Sequence, residues 1–561
     1  MESPTLPSTQ YALQLVGPSR LALNTEKPVD RPGPTQVLAR VECVGLCFSD
    51  MKLLKQFDQH ARKSEVKTGL SAEVLREIPS YVPGGKPTVP GHEVTARIVA
   101  VGERVTRHRV GERVLVQTDY RGLATAASNA AFGYNFEGGL QEYVLMDERV
   151  IVDASGERFL LPVPDHRSAS ALALVEPWSC VEDSYVTVER QGPKPGGRLL
   201  VVADAGATLG GLSTLAAAHP QSVTAVWADP AQGRALSAAH LEAAPAAHPS
   251  ALPAEAFDDI VYFGSDKAVI ELLNDKLAVR GLFNLVLGGK RVGASVNVGV
   301  GRVHYGLTRW TGTLGSDCAV SYRHIPRSGE LRPGERVAVI GAGGAMGQMH
   351  VLRAVAAGIE QVSVTGTDMD QVRLDALYAK AGPLAKSRHV PLNLVNTKTT
   401  VARGPFSYFA LMAPVGALVA NAIEDAADLA LINIFAGIPA GVKHELDLDT
   451  YVARRVYLFG TSGSTIDDMK IVLAKVVSGT FDTDVSVDAI SGMRGAEAGI
   501  AALENRTLAG KIMVYPWLKD AFLIPLKDLA ATFPTVARKL DSGKWCKAAE
   551  DELKRIGHFA E

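Results

Sequence analysis

Over roughly the first 190 residues, apolar and polar positions alternate with a period of two in short runs, the mark of half-buried strands. Val37–Val44, Arg97–Val105, Gly111–Val116 and Gly139–Met146 each carry this pattern, bounded by glycine or charged turns. Met51–Pro90 differs, with a helical, mixed-charge pattern that ends in a Pro/Gly-rich stretch. Beyond about residue 195, short apolar runs alternate with Ala-rich helical stretches, which predicts βαβ units and a parallel, doubly wound sheet. After Trp517, two short amphipathic helices are expected around Pro525–Ala530 and Val536–Asp541.

The βαβ region repeats. Pro195–Val202 matches Pro333–Ile340, and Asp229–Arg234 matches Asp368–Arg373. Phe257–Ile260 then matches Phe406–Phe409, and Leu282–Gly288 matches Leu431–Gly437, in the same order. Chance similarity of apolar strands would not also keep the Asp, Gln, Arg and Asn positions, so two tandem copies of one nucleotide fold are expected. The boundaries read as 195–318 for the first copy and 330–484 for the second. A β-rich domain is expected over 1–194, completed by 485–561.

In the second copy, the strand Val337–Ile340 runs into Gly341, Gly343, Gly344, Met346 and Gly347 and then a helix. Glycines at such a turn let the backbone and the helix N-terminus approach a pyrophosphate. Asp368 ends the next strand, where an acid accepts hydrogen bonds from the adenosine ribose and repels a 2′-phosphate. The plainer reading is that Asp368 caps the following helix. The first copy has Ala203, Gly206 and Leu209 at the glycine positions, with Asp204 expected to face any phosphate. It is therefore expected to bind no dinucleotide.

A second constellation lies in the β-rich part: Gly45-Leu-Cys47-Phe-Ser49-Asp50, then Gly91-His92-Glu93, then Glu176-Pro177. A thiolate, an imidazole and a carboxylate suit Zn²⁺, and a catalytic zinc takes three protein ligands. Six cations of the Met51–Pro90 segment (Lys52, Lys55, Arg62, Lys63, Lys67 and Arg76) read either as a phosphate-binding lid or as a solvated, charge-balanced face. The second is the plainer reading.

Composition narrows the classes. The 561 residues are 47% hydrophobic and 21% charged, which fits a globular protein. Lys+Arg number 58 against 60 Asp+Glu, so nothing in the charge favours nucleic acid or an anionic membrane. No apolar run is long enough for a membrane span, and no secretory signal is read at the start. The 5 scattered cysteines suit a reducing, cytoplasmic setting.

Together, Gly-Leu-Cys47-x-Ser49-Asp50, Gly91-His92-Glu93, Gly138-Gly-Leu-x-Glu-Tyr143 and Glu176-Pro177 resemble the zinc-dependent medium-chain alcohol/polyol dehydrogenases. Glu-Pro at the third metal position resembles sorbitol and glucose dehydrogenases, and Gly510–Pro516 resembles sorbose 1-phosphate reductase-type enzymes. The resemblance implies an α/β chain with a GroES-like β-rich catalytic domain and Rossmann-type doubly wound parallel sheets. It implies one catalytic zinc on Cys47, His92 and either Glu93 or Glu176, with Asp50 holding the imidazole and Ser49 relaying a proton. The family's structural-zinc lobe has no counterpart, because no cysteine quartet occurs between Val114 and Gly138.

The implied activity is hydride transfer between NAD, in preference to NADP, and a secondary alcohol or ketone of a polyol, sugar or sugar phosphate. Alternatives are a zinc-free quinone or enone reductase and a catalytically silent NAD sensor. Such enzymes commonly dimerise through the edges of their nucleotide sheets. The tandem copy is accordingly expected to act as a built-in partner, pairing edges near Leu282–Leu287 and Leu431–Phe435 or around Leu314 and Leu458. The alternative is an insertion that covers the active-site mouth. A homo-oligomer of the chain is compatible with either.

Overall fold

The computed structural model of the chain describes residues 6–559. It divides into two compact units, one running to Ser179 and resuming at Ser464, the other spanning Cys180–Gly463. The first boundary falls ahead of the expected 194, inside helix Val175–Val186. The resumption at Ser464 likewise precedes the expected 485, because helix Ile466–Ser478 packs with the first unit. There Arg167 donates to the Val477 carbonyl at 3.1 Å and Lys470 pairs with Glu157 at 2.7 Å.

In the first unit, the alternating runs become an antiparallel sheet. Gln36–Gly45 lies between Glu93–Val101 and Lys511–Val514 over its last residues, with Gly45 opposite both Glu93 and Met513. Tyr143–Asp147 pairs with the start of the same strand, and Arg113–Val116 covers Glu93–Val101. The inward residues Val41, Val44, Val94, Ala96, Val114 and Ile512 are all buried in one core. Met51–Pro90 is less helical than its pattern suggests: helix Phe48–Gln56 and the short Ala72–Arg76 are joined through single 3₁₀ turns at Phe57–Gln59 and Ala61–Lys63.

The second unit holds two six-stranded parallel sheets of identical order, third-second-first-fourth-fifth-sixth counted along each copy. This is the doubly wound arrangement, whose ligand crevice opens where the order reverses, between the first and fourth strands. In the first copy these are Arg198–Ala203 and Phe257–Phe263; in the second, Arg336–Ile340 and Phe406–Leu411.

The copies share one hydrophobic core, which joins Val298, Val303 and Trp310 to Leu446, Val452 and Leu458. Val296–Val298 pairs antiparallel with His444–Leu446, setting Asn297 opposite Glu445. Exchanging the copies leaves that register unchanged, which is the signature of a two-fold contact. Gly312 lies against Val452, where a Cβ would stand 2.7 Å from Val452 Cγ2, and its counterpart Gly460 lies against His304 at 3.3 Å from Cα. Leu277–Val286 and Ala426–Ile434 are not edges, because each is covered by a sixth strand. The edges that face one another are Arg309–Thr313 and Tyr457–Phe459, and they remain in separate sheets. The Tyr451 hydroxyl bridges them, donating to the Trp310 carbonyl at 2.7 Å and accepting from the Leu458 N–H at 3.3 Å.

One part of the repeat is set two residues differently from its sequence match. Asp229 caps helix Pro230–Ala238, and the acid that caps the equivalent helix Gln371–Arg388 is Asp370. Strand register makes Trp227 the counterpart of Asp368, since each ends the second strand of its sheet. Among the described residues, no helix is long and apolar enough to cross a membrane.

Candidate functional site

Three neighbouring strand ends build the first site. The strand ending at Gly45 delivers Cys47, the one starting at Glu93 delivers His92 and Glu93, and the one starting at Lys511 delivers that lysine. One ligand atom each from Cys47, His92 and Glu93 lies within 4.8 Å of the others, the one such group found among the described residues. A Cβ on Gly45 would collide with Glu93 Oε2, so this glycine leaves the space that the carboxylate fills.

The surrounding bonds orient the cluster. His92 Nδ1 is 3.2 Å from Asp50 Oδ1, while Asp50 Oδ2 accepts from the Cys47 N–H at 3.0 Å. A proton on Nδ1 leaves the Nε2 lone pair for a metal, the outer hydrogen bond that ligating histidines require. Burial of His92 opposes its charged form, but Asp50, with Tyr134 and Cys47, outweighs this and sets its pKa well above the usual imidazole value. The Ser49 hydroxyl lies 3.0 Å from Cys47 Sγ and 3.2 Å from His92 Nε2.

Glu176 stands outside the ligand group but within its field. Burial raises its carboxyl to about 7 against the pull of His92, and the nearby Glu93 adds to the rise. Lys511 lies in the Gly510–Pro516 stretch, where the sequence assigns it no role. Its Nζ pairs with Glu93 Oε1 and donates to the Leu46 carbonyl at 2.9 Å. Burial disfavours this ammonium, but Glu93 and Cys47 more than compensate and raise its pKa.

The donor set fits a divalent metal. Glu93 Oε2 is a buried oxygen with no hydrogen-bond partner, a costly state that a cation relieves. Thiolate, imidazole and carboxylate donors together match zinc.

The second site lies wholly in the second unit. Gly341 has φ +86°, a left-handed conformation that favours glycine. Helix Ala345–Ala356 follows directly, with Gly344 at its N-cap and Met346 in its first turn. A Cβ on Gly347 would collide with the Gly341 carbonyl, so the helix seats tightly under the loop. Asp368 Oδ2 accepts from the Gly343 N–H at 2.9 Å, and its Oδ1 accepts from the Asp370 N–H at 3.1 Å. Asp368 therefore borders the glycine loop, and Asp370 does the capping. A loop of close backbone leading into a 12-residue helix fits a pyrophosphate. Arg373 was quoted in the sequence only as a repeat match. Its guanidinium comes within 3.4 Å of where a Gly344 Cβ would be, and its buried Nε has no partner.

In the first copy, the equivalent crevice is filled. Asp204 accepts from the Tyr262 hydroxyl at 2.6 Å and from the Ser265 N–H at 3.1 Å, turning toward the fourth strand rather than toward a ligand. Its helix is only Leu212–Ala216.

A family model described as the alcohol dehydrogenase GroES-like domain matches residues 33–156. The chain is 29% identical over 296 residues to an uncharacterised protein, YggP, of Escherichia coli strain K12, covering 46% of this chain and 66% of that protein. It is 29% identical over 181 residues to D-altritol 5-dehydrogenase of Agrobacterium fabrum, covering 30% of this chain and 44% of the relative. In both, less than two thirds of the relative's length is matched. Among solved structures, 2R,3R-butanediol dehydrogenase from Bacillus subtilis has a similar fold, with a TM-score of 0.51 and 16% identity over 91% of this chain and 100% of that one.

Proposed function

We propose that the chain, whose residues 33–156 match the alcohol dehydrogenase GroES-like domain, is a medium-chain alcohol/polyol dehydrogenase, a zinc-dependent, NAD-linked oxidoreductase of a secondary alcohol in a polyol, sugar or sugar phosphate. The observation that carries this reading is the convergence of Cys47, His92 and Glu93 within 4.8 Å, with Asp50 fixing the imidazole. Zinc, when bound, supplies Lewis acidity toward the hydroxyl oxygen, and a nicotinamide supplies the hydride acceptor.

The chain's own residues do the rest. Cys47 and His92 are the metal-holding pair, with Glu93 or Glu176 as the carboxylate partner. Lys511 balances the negative charge that Glu93 and Cys47 bring to a buried site. The Ser49 hydroxyl, beside both Sγ and Nε2, takes the proton that the alcohol gives up. Burial and the nearby Glu93 raise the pKa of the Glu176 carboxyl, which makes whichever of Glu93 and Glu176 does not hold the metal a partner for exchange beside it. In the second unit, the Gly341–Gly347 loop holds the pyrophosphate, and Asp368 accepts from the adenosine ribose. Arg373 at the loop's rim favours a second reading in which NADP is also accepted.

The test combines metal analysis with a screen of polyols, aldoses and their phosphates followed by NAD reduction. One zinc per chain is expected, and Cys47→Ser should abolish both metal and turnover. Zinc-free protein with full activity in Cys47→Ser would favour the metal-free reductase. Metal-loaded protein that oxidises nothing would favour the silent sensor.

A further inference from the structure

The structure sorts six of the seven cations of Met51–Pro90; the seventh, Lys86, is exposed near the end of the segment. Lys55 pairs with Glu504 at 2.7 Å, Lys67 with Glu65 at 3.0 Å and Arg76 with Glu73 at 3.1 Å. All three are surface pairs of the kind that contributes little. Lys63 is fully buried and donates to the carbonyls of Val82 and Lys86. Lys52 lies exposed on helix Phe48–Gln56. These five fit the solvated or structural reading of the segment.

Arg62 does not. Its side chain is 27% exposed, and its only ion pair is with Asp119 at 3.7 Å, a carboxylate already held by Arg121 at 3.1 Å. Among the described residues, its guanidinium makes no hydrogen bond closer than that. Its Cζ lies 5.7 Å from the centre of the Tyr134 ring, which is 5.8 Å from the His92 ring. The phenol of Tyr134 is turned toward Ser49. A single aromatic ring therefore separates an under-used guanidinium from the imidazole and hydroxyl of the metal cluster.

His60 completes the feature. Its ring lies 5.1 Å from that of Tyr134. Its Nδ1 accepts from the Arg62 backbone N–H at 3.2 Å, which places the ring proton on Nε2 and leaves that nitrogen a donor. Burial, Arg62 and Lys52 lower its pKa to about 4, so it is neutral at pH 7 and offers a hydrogen bond without charge. The cluster itself is rich in carboxylates (Asp50, Glu93 and Glu176), which repel an anion. An anionic substrate would need a cation of its own.

We propose that Arg62, with His60, receives an anionic substituent of the substrate, a phosphate monoester or a carboxylate carried on a carbon remote from the reacting carbinol. The guanidinium fork matches either group in two parallel hydrogen bonds, and among the described residues its one carboxylate neighbour, Asp119 at 3.7 Å, stands too far off to make them. This rests on the alcohol dehydrogenase reading above and names the substrate class for the same site.

The test is a ratio. With the metal-loaded enzyme, kcat/KM is measured for a polyol, for its terminal phosphate monoester and for the corresponding carboxylate. One of the two anions should exceed the neutral polyol about tenfold or more, and which one does so distinguishes the two groups. Arg62→Ala should lower that ratio about 10–100-fold, the effect of losing a charge-assisted hydrogen-bond pair. Arg62→Lys should recover part of it, and Arg76→Ala should leave it unchanged. Calorimetric binding of the preferred anion without dinucleotide should weaken in Arg62→Ala by a similar factor. If no alcohol is oxidised, the enzymatic reading fails, yet calorimetry still decides the role of Arg62. A neutral polyol preferred by the wild type, an unchanged ratio in Arg62→Ala, or unchanged anion binding would overturn the proposal.

Discussion

The two nucleotide-fold copies share a strand order and one core, and they diverge where a ligand would sit. In the second copy, the first strand opens into Gly341 and a 12-residue helix, with Asp368 against the loop. In the first, the strand ends at Ala203, Asp204 closes the crevice on Tyr262 and Ser265, and the second strand ends at Trp227, so that the acid against the loop is the helix cap Asp229, which accepts from the Gly206 N–H at 2.6 Å. The packing surfaces show no such divergence. Gly312 and Gly460 are equivalent glycines that each lie against a residue of the other copy, Val452 and His304, and against a carbonyl of their own copy, Leu285 and Ile434. The seam needs both copies intact, whereas dinucleotide chemistry needs only one. A sheet edge left uncovered invites pairing with another chain, and the internal partner removes that hazard.

The comparison breaks most sharply at the glycine loop. Gly347→Val should abolish dinucleotide binding, because the added side chain drives the helix off the Gly341 carbonyl. The mirror change in the first copy, Leu209→Gly, should create no site, since the Asp204–Tyr262 pair still fills its crevice. Calorimetry should give one dinucleotide per chain for the wild type and Leu209→Gly, and none for Gly347→Val, with a melting curve confirming that each variant is folded. Two dinucleotides per wild-type chain would end the distinction.

A smaller effect is expected at Asp368. Its carboxylate accepts from the Gly343 N–H and, on the proposed reading, would also accept from the adenosine ribose. Asp368→Ala should weaken NAD binding about tenfold, roughly one charged hydrogen bond. It should also raise the relative affinity for NADP, because Arg373 then faces a 2′-phosphate unopposed. Equal NAD/NADP preference before and after the change would remove Asp368 from cofactor selection.

Much of this was legible in the sequence because the chemistry is local. Cys47, Ser49 and Asp50 sit on one turn, His92 and Glu93 on another, and the glycines on a third. Lys511 was not legible. It reaches Glu93 only because Lys511–Val514 and Glu93–Val101 both flank Gln36–Gly45, a register that no local spacing records. The match of Asp229 with Asp368 holds in contact but not in register: each accepts from a loop glycine N–H, Gly206 at 2.6 Å and Gly343 at 2.9 Å, but Asp229 also begins the helix. An acid that caps a helix and an acid that ends a strand look alike in sequence, and only the helix starts separate Asp370 from Asp368. The cations of Met51–Pro90 were ambiguous as a group, since which ones find carboxylates depends on contacts across the first unit, such as Lys55 with Glu504.

The mildest test lies at the seam. The Tyr451 hydroxyl links the two edge strands to each other through the Trp310 carbonyl and the Leu458 N–H, beside a second link in which Glu189 accepts from both Arg309 and Tyr457. Both strand residues are buried, at 2% and 1% exposure, so water cannot easily replace the lost bonds. Tyr451→Phe keeps the ring in place and removes only the oxygen. Leaving buried backbone groups unpaired costs about 1–3 kcal/mol, which for a unit of this size lowers the melting temperature about 2–4 °C per kcal/mol. Tyr262→Phe removes a hydroxyl of similar burial from the first copy's crevice but does not touch the seam. If the copies stand or fall together, Tyr451→Phe should shift a single transition that includes both. A variant in which the first copy melts separately while the second keeps its dinucleotide would show that the seam is not what holds the unit together.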